Sequence, residues 1–277
     1  GSFAASSADS VGISIFHTIF NVSNTIILFP FAGLLVKTAC AIVKEKKSER
    51  TEDDVETDIL RHLDDRLLES PSFAIDTAEK EVINIGKVAI ANLKIATAAL
   101  TDRNEAFCNE VFENEKKLNH LDTVLTDYLV KINNLSLNDS QHLLVKNLFY
   151  TIGDIERIGD HAENLAELAQ TVIRTGSPFS ESGEEDLKKI SGAALQSVET
   201  AVESREHKEL SKVRQAARYE EAVDSLEEEL KELHMERLSN RECSTESGVI
   251  FLDAISNYER IADHARNIAG YVKEEIQ

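Results

Sequence analysis

The chain has 277 residues, of which 30 are basic and 50 acidic, giving a formal net charge of −20. A chain this acidic repels phosphate backbones, so nucleic acid is excluded as an expected partner. With 11 glycines, 3 prolines and no tryptophan, the composition favours long helices over sheets.

The first feature along the chain is an uncharged run from Ser10 to Val36. A membrane helix needs about 20 mostly apolar residues, and basic residues mark the cytoplasmic flank of a span. Four basic residues follow within residues 44–50. We therefore predict an apolar, membrane-spanning helix over residues 1–43 in an inner membrane, with the remainder of the chain in the cytosol. A buried helix of a soluble protein is the alternative. Residues 44–71 are predicted to be a charged linker.

Beyond residue 59, apolar residues recur in steps of three and four, which is typical of amphipathic helices. This periodicity predicts six helices, over residues 72–100, 105–133, 139–174, 184–207, 209–240 and 244–276. The stretch TGSPFSESG is a turn between the third and fourth helices, because it gathers Gly, Pro and Ser. Two domains are therefore predicted, covering residues 72–176 and 177–277.

These two halves are related by an internal repeat. Residues 156–166 read ERIGDHAENLA and residues 259–269 read ERIADHARNIA, with eight of eleven positions identical. The same shift of 103 places the apolar positions of the third helix on those of the sixth, and a shift of 105 aligns the second helix with the fifth. The predicted fold class is all-α, with tandem three-helix bundles preceded by one apolar helix.

The repeated segment places an acid, an Asp and an Asn four residues apart, which puts their side chains on one face of a helix. We call each of these faces a ladder; the ladders are Glu156, Asp160 and Asn164, and Glu259, Asp263 and Asn267. Carboxylate and amide oxygens are ligands for hard divalent cations and for iron. The preceding helix of each repeat offers further candidate ligands, Glu115 and Asn119 in the first and Glu220 and Asp224 in the second.

The ladders are predicted to point away from the apolar stripe, and a solvated charged face is the alternative interpretation. The duplication favours the metal site. Surface positions drift freely after a duplication, whereas Glu, Arg, Asp, His and Asn stay in register between these two segments. His161 and His264 follow the Asp of each ladder and turn to another side of the helix, so we expect them to pack or to support the ligands.

Two three-helix repeats that carry Glu-x-x-x-Asp-x-x-x-Asn, as ERIGDHAEN and ERIADHARN, resemble the PhoU family. The resemblance covers about residues 72–277. It implies an all-helical regulator of phosphate uptake whose repeated acidic motifs bind metal ions, including iron clusters. The sequence departs from the family pattern at Asn119, where an acid is more common.

The amino-terminal residues add a second resemblance. The segment from Phe16 to Phe31 resembles the last membrane segment of bacterial sodium-dependent phosphate cotransporters. The segment from His62 to Val82 is similar to the junction that precedes a carboxy-terminal PhoU-like domain in those transporters. This implies a regulatory, non-enzymatic, cation-binding domain, with the transporter membrane domain and a second copy of the chain as expected partners.

Two alternatives stay open. One is a free-standing PhoU-like signalling adaptor that acts by contact with a transporter or a histidine kinase. The other is a carboxylate-bridged metalloenzyme, which is disfavoured because such enzymes bury their ligands inside the bundle and use a Glu-x-x-His spacing. Here the ladder is predicted to face outward, and His161 is five residues from Glu156.

Overall fold

The computed structural model describes residues 10–28, 59 and 61–277, and every regular element in these residues is helical. The helices are α1 (Ser10–Leu28), a short 3₁₀ helix (Asp65–Glu69), α2 (Pro71–Asp102), α3 (Glu105–Asn133), α4 (Asp139–Thr175), α5 (Glu181–His207), α6 (Leu210–Ser239) and α7 (Thr245–Ile276). The all-α prediction is confirmed, and α2 to α7 correspond to the six predicted helices.

Local capping explains why the predicted helix boundaries agree with the observed ones. The Asn138 side chain accepts a hydrogen bond from the backbone N–H of Gln141, whose own side chain bonds back to Asn138 in a capping box. Ser180 and Ser244 cap α5 and α7 more simply, through side-chain oxygens that accept from the backbone N–H of Gly183 and Ser247. Gly176 ends α4 in the left-handed region, with φ of 64°.

Helices α2, α3 and α4 form the first three-helix bundle, and α5, α6 and α7 form the second. The bundles are joined along two lines, where α4 packs on α7 and α2 packs on α5. One continuous apolar core runs through both bundles. The repeats therefore share their core and are not two independent domains.

The predicted linker over residues 44–71 differs from the structure at its carboxyl end. Ile59 is buried in the core, and Leu63 and Leu68 pack against it. The Asp64 side chain accepts from the backbone N–H of Arg66 and so caps the 3₁₀ helix. The bundle therefore begins before residue 71. Residues 44–58 lie outside the described residues.

Helix α1 belongs to a separate compact unit. Its large apolar side chains are exposed; they are Ile15, Phe16, Ile19, Phe20, Val22 and Ile26. The remainder of the predicted membrane segment, and the basic residues after it, lie outside the described residues. Among the described residues, α2 is the one helix that is long and apolar enough to cross a membrane by length and composition, and its apolar face lies in the bundle core.

Helices α3 and α4 approach closely at Gly159. A Cβ atom added there would lie 2.4 Å from Leu118 Cδ2 and 2.6 Å from Glu115 Oε2, so two buried side chains occupy the space that a larger residue needs. The second repeat has Ala262 at the equivalent position. This glycine therefore sets the distance between α3 and α4.

We predict that Gly159→Ala lowers the free energy of unfolding by about 1 kcal/mol, because overpacking outweighs the gain in helix propensity. Gly153→Ala, on the same helix with nothing within 4 Å of its added Cβ, is the control and should raise stability by about 0.5–1 kcal/mol. Urea unfolding of both variants checks this. Equal stabilisation by both would show that α3 and α4 are not tightly packed there.

Candidate cation sites

The first candidate site lies between α3 and α4 and is built on Glu115. This residue is 2% exposed, and neither of its carboxylate oxygens has a hydrogen-bond partner. Burial, together with the nearby charges of Asp160, Glu163 and Glu156, raises the pKa of Glu115 to about 8. A carboxylate in these surroundings is stable only if it is protonated or meets a cation.

The acids whose charges act on Glu115 lie on α4, and Asp122 of α3 acts in turn on Glu156. On α4, burial raises the pKa of Glu156, and the charge of Asp160 adds to that effect. On α3, burial raises the pKa of Asp122. The Arg157 guanidinium lies on the outside, with Nη1 3.1 Å from Asp160 Oδ2 and Nε 3.5 Å from Glu156 Oε2. Because its side chain is 61% exposed, these ion pairs contribute little to stability.

The second candidate site lies between α6 and α7 and is more compact. One carboxylate oxygen from each of Glu220, Asp224 and Asp263 lies within 4.8 Å of the others, close enough to share one metal ion. Glu220 is 1% exposed, and its Oε1 accepts a hydrogen bond of 2.6 Å from Arg266 Nη1, while its Oε2 has no partner. Burial raises the pKa of Glu220, and Arg266 opposes that rise.

The third position of each ladder turns away from the acids. Asn164 Nδ2 donates to Asn257 Oδ1 at 3.3 Å, and Asn267 Nδ2 donates to Asp154 Oδ1 at 3.3 Å. Both bonds cross the contact between α4 and α7, which we call the seam. The ladders therefore face outward, as predicted, but each one is divided between two surfaces. Its acids line an interhelical groove beside a buried glutamate, and its amides lie in the seam.

The two histidines also lie in the seam. His161 Nδ1 is 2.9 Å from Asn257 Oδ1, and His264 Nδ1 is 2.7 Å from Asp154 Oδ1. Their rings stack with centroids 5.7 Å apart. Burial lowers the pKa of His161. Each repeat thus holds the histidine and the asparagine of the other repeat, which agrees with a packing role for the histidines.

Of the ten predicted ligands, the structure gathers the seven acids at two interhelical grooves. They are Glu115, Glu156 and Asp160 in the first, and Glu220, Asp224, Glu259 and Asp263 in the second. Burial raises the pKa of Glu259 as well, and Asp263 adds to the effect. Asn119 is exposed on α3 beside the first groove. The buried carboxylate oxygens without partners, surrounded by further acids, fit a hard divalent cation or iron.

Sequence reasoning missed several residues that shape these sites. Glu163 and Arg266 occupy equivalent positions at a shift of 103, and so do Asp154 and Asn257. Asp122 has an acid, Glu227, as its equivalent at a shift of 105. Aligning the repeats beyond the identical positions would have identified Asp122 and Glu227 as equivalent acids. It would not have shown which residues meet in the seam.

The PhoU domain model matches the chain twice, at residues 82–169 and 187–272. The chain belongs to the PhoU family. The two matches contain the two grooves, one in each PhoU repeat. Helix α1 lies outside both matches.

The chain is also similar to named PhoU proteins and to a solved PhoU structure. The Phosphate-specific transport system accessory protein PhoU homolog 1 of Thermotoga maritima is 23% identical, over 64% of this chain and 76% of its own length. The Phosphate-specific transport system accessory protein PhoU homolog of Xylella fastidiosa is 26% identical, over 68% of this chain and 79% of its own length. The crystal structure of PhoU from Pseudomonas aeruginosa aligns with a TM-score of 0.68 at 22% identity, over 73% of this chain and 97% of that one. These structural likenesses support the fold.

We predict that Glu115→Gln stabilises the metal-free protein above pH 5 by up to roughly 2–4 kcal/mol at pH 9. The pKa of Glu115 is raised from 4.5 to about 8, so the folded state binds more protons than the unfolded state between these values. The free energy of unfolding of the parent therefore falls as pH rises through this window. That of the Glu115→Gln variant does not, because glutamine has no carboxyl proton to lose.

Chemical unfolding of the chelator-treated proteins between pH 4 and 9 measures this difference. Glu110→Gln, an exposed acid on the same helix, is the control and should leave the pH profile unchanged. If the Glu115 variant follows the parent at every pH, the carboxylate is solvated and the buried-site description fails.

Proposed function

We propose that the chain is a regulatory accessory protein of phosphate transport that binds a divalent or iron-type cation at each interhelical groove and uses it to control contact with a transport partner. Membership of the PhoU family and the accessory proteins it resembles support the regulatory part. They favour a PhoU-like accessory protein over the domain of a sodium-dependent cotransporter.

One observation carries the cation part of the proposal. Each repeat buries a glutamate, Glu115 or Glu220, with at least one carboxylate oxygen that has no partner. Leaving a charged group buried and unpaired is strongly unfavourable. The cost is removed if a cation is bound there. Magnesium, calcium, manganese and iron accept carboxylate oxygens, and the grooves do not select among them.

The position of the grooves indicates how binding is transmitted. Each groove joins an outer helix, α3 or α6, to a helix of the seam, α4 or α7. A ligand shifts an equilibrium only if it prefers one state over another. Cation binding would favour the state in which the outer helix is drawn against the seam helix. The surface of α3 and α6 offered to a partner would then depend on metal. The expected partners are the membrane domain of a transporter and a second copy of this chain.

A regulatory role also agrees with the chemistry of the grooves. Their functional groups are oxygen ligands, and in the described residues they lack the nucleophile with a positioned base that acyl or phosphoryl transfer needs. We therefore propose control of transport and no catalytic step.

We predict that Asp160→Asn together with Asp263→Asn removes bound metal without loss of helix content, because both side chains lie at the groove surface. Metal analysis of the purified protein and circular dichroism measure the two properties. Asp253→Asn, an exposed acid on α7, should retain metal. Unchanged metal content in the double variant would show that the ladders are an ordinary solvated face and not a metal site.

In cells, the same double variant should alter phosphate uptake or its response to phosphate supply, while the Asp253 variant behaves as the parent. Uptake of labelled phosphate in cells grown with high and low phosphate tests this. Identical uptake and response in the double variant would count against regulation through these grooves.

A second candidate function is favoured by α1. Its exposed large apolar side chains suit a lipid environment, and it lies outside the PhoU matches. On this alternative, the chain is the regulatory part of a membrane transporter, with residues 10–43 in the inner membrane and the bundles facing the cytosol.

The membrane alternative predicts that the chain floats with phospholipid vesicles and that a variant lacking residues 1–58 does not. The truncated chain keeps Ile59 and the six bundle helices, so it should remain helical and monodisperse. Vesicle flotation followed by circular dichroism checks both points. A full chain that stays at the bottom of the gradient would leave the accessory-protein proposal intact and exclude the membrane segment.

A further inference from the structure

The two PhoU repeats differ at one charged position inside their otherwise matching motifs. The first repeat has Glu163 where the second has Arg266. In the second groove, Arg266 Nη1 lies 2.6 Å from Oε1 of Glu220. In the first groove, Glu163 adds a negative charge near Glu115, and neither Glu115 oxygen has a partner.

Counting acids does not distinguish the grooves. Each groove holds four acids, counting its buried glutamate, because the first has Glu163 where the second has Arg266, and the second has Asp224 where the first has Asn119. The four are Glu115, Glu156, Asp160 and Glu163 in the first groove, and Glu220, Asp224, Glu259 and Asp263 in the second. The difference lies in which carboxylate is already paired with an arginine.

The first groove also has an arginine, but it pairs at the surface. Arg157 contacts Asp160 and Glu156, whose side chains are 34% and 28% exposed. Surface ion pairs are weak and easily exchanged for water. The Arg266 side chain is itself 53% exposed, but the carboxylate it pairs with is only 2% exposed, so the two pairs differ in the burial of the acid. Charge-assisted hydrogen bonds to buried groups are much stronger, and removing one partner is costly.

We propose that Arg266 is a resident cation of the second groove that competes with metal for Glu220, so that the two grooves fill in order, the first repeat before the second. The inference rests on the proposed cation binding and goes beyond it by ranking the two sites. Glu115 has no protein group to give up and loses only its proton when metal binds, whereas Glu220 must exchange Arg266 for metal. A chain with both grooves would therefore respond to metal in two steps.

The test uses Mn²⁺ alone as the probe and measures each groove by itself. Asp263→Asn disables the second groove and Asp160→Asn disables the first, and isothermal titration then gives one dissociation constant for each remaining groove. We expect the first groove to bind Mn²⁺ at least about tenfold more tightly than the second. Equal affinities, or a tighter second groove, would overturn the proposed order.

Substitutions at Arg266 and at its equivalent, Glu163, test whether competition by the arginine causes the difference in affinity. In the chain that retains only the second groove, Arg266→Gln should tighten Mn²⁺ binding about tenfold or more. Arg260→Gln is the matched control. It removes the same charge from the same helix, where Arg260 acts on Glu259 through its charge but has no ion-pair partner among the described residues, so it should change affinity less than about threefold. If both substitutions changed Mn²⁺ affinity equally, the effect would come from net charge alone, and the proposed competition between Arg266 and metal would be overturned.

In the chain that retains only the first groove, Glu163→Arg should weaken Mn²⁺ binding about tenfold or more, and more than Glu163→Gln does. Circular dichroism confirms that each variant is folded. Absence of Mn²⁺ binding in the parent would overturn the cation proposal as a whole. Binding in the parent that is insensitive to positions 163 and 266 would overturn only the competition inference.

Discussion

Burial of a glutamate between the last two helices of each repeat is the constraint to which the other features of the grooves respond. An ionised carboxylate removed from water costs several kcal/mol unless a cation or hydrogen bonds compensate it. The chain shows two forms of compensation. Glu115 has its pKa raised to about 8, so that it is protonated near neutral pH, while Glu220 pairs with Arg266. A bound cation is a third form, and the acids at the mouth of each groove make it available to both repeats.

The seam gives these grooves a means of influencing each other. Asp154 of the first repeat is hydrogen-bonded to His264 and Asn267 of the second. In the same way, Asn257 of the second repeat is hydrogen-bonded to His161 and Asn164 of the first. The ladder acids lie on the same two helices, each within one turn of a residue that makes these bonds. A change in how α3 lies against α4 therefore bears on a helix that also carries half of the seam. The continuous core beneath both bundles makes independent movement of the repeats costly.

Much of the fold is readable from the sequence because its signals are local. Caps such as Asn138 and Ser244 fix helix starts, and steps of three and four fix the buried faces. The duplicated motif also pointed to the acids that the grooves contain. The burial of Glu115 was not readable, because it depends on how closely α3 approaches α4 at Gly159. The turn of Asn164 and Asn267 into the seam was not readable either, since it depends on how two bundles meet. The pairing of Arg266 with Glu220 joins residues 46 apart on different helices, beyond the reach of periodicity.

The central claim is that cations bind at the two interhelical grooves beside the buried glutamates. Anomalous difference density, measured from crystals of the chain saturated with Mn²⁺, locates such ions directly. We expect a peak about 2.0–2.6 Å from a carboxylate oxygen of Glu115 and, at higher Mn²⁺ concentration, a second peak beside Glu220. Saturated crystals without density in either groove, or with density only at acids elsewhere on the surface, would contradict it.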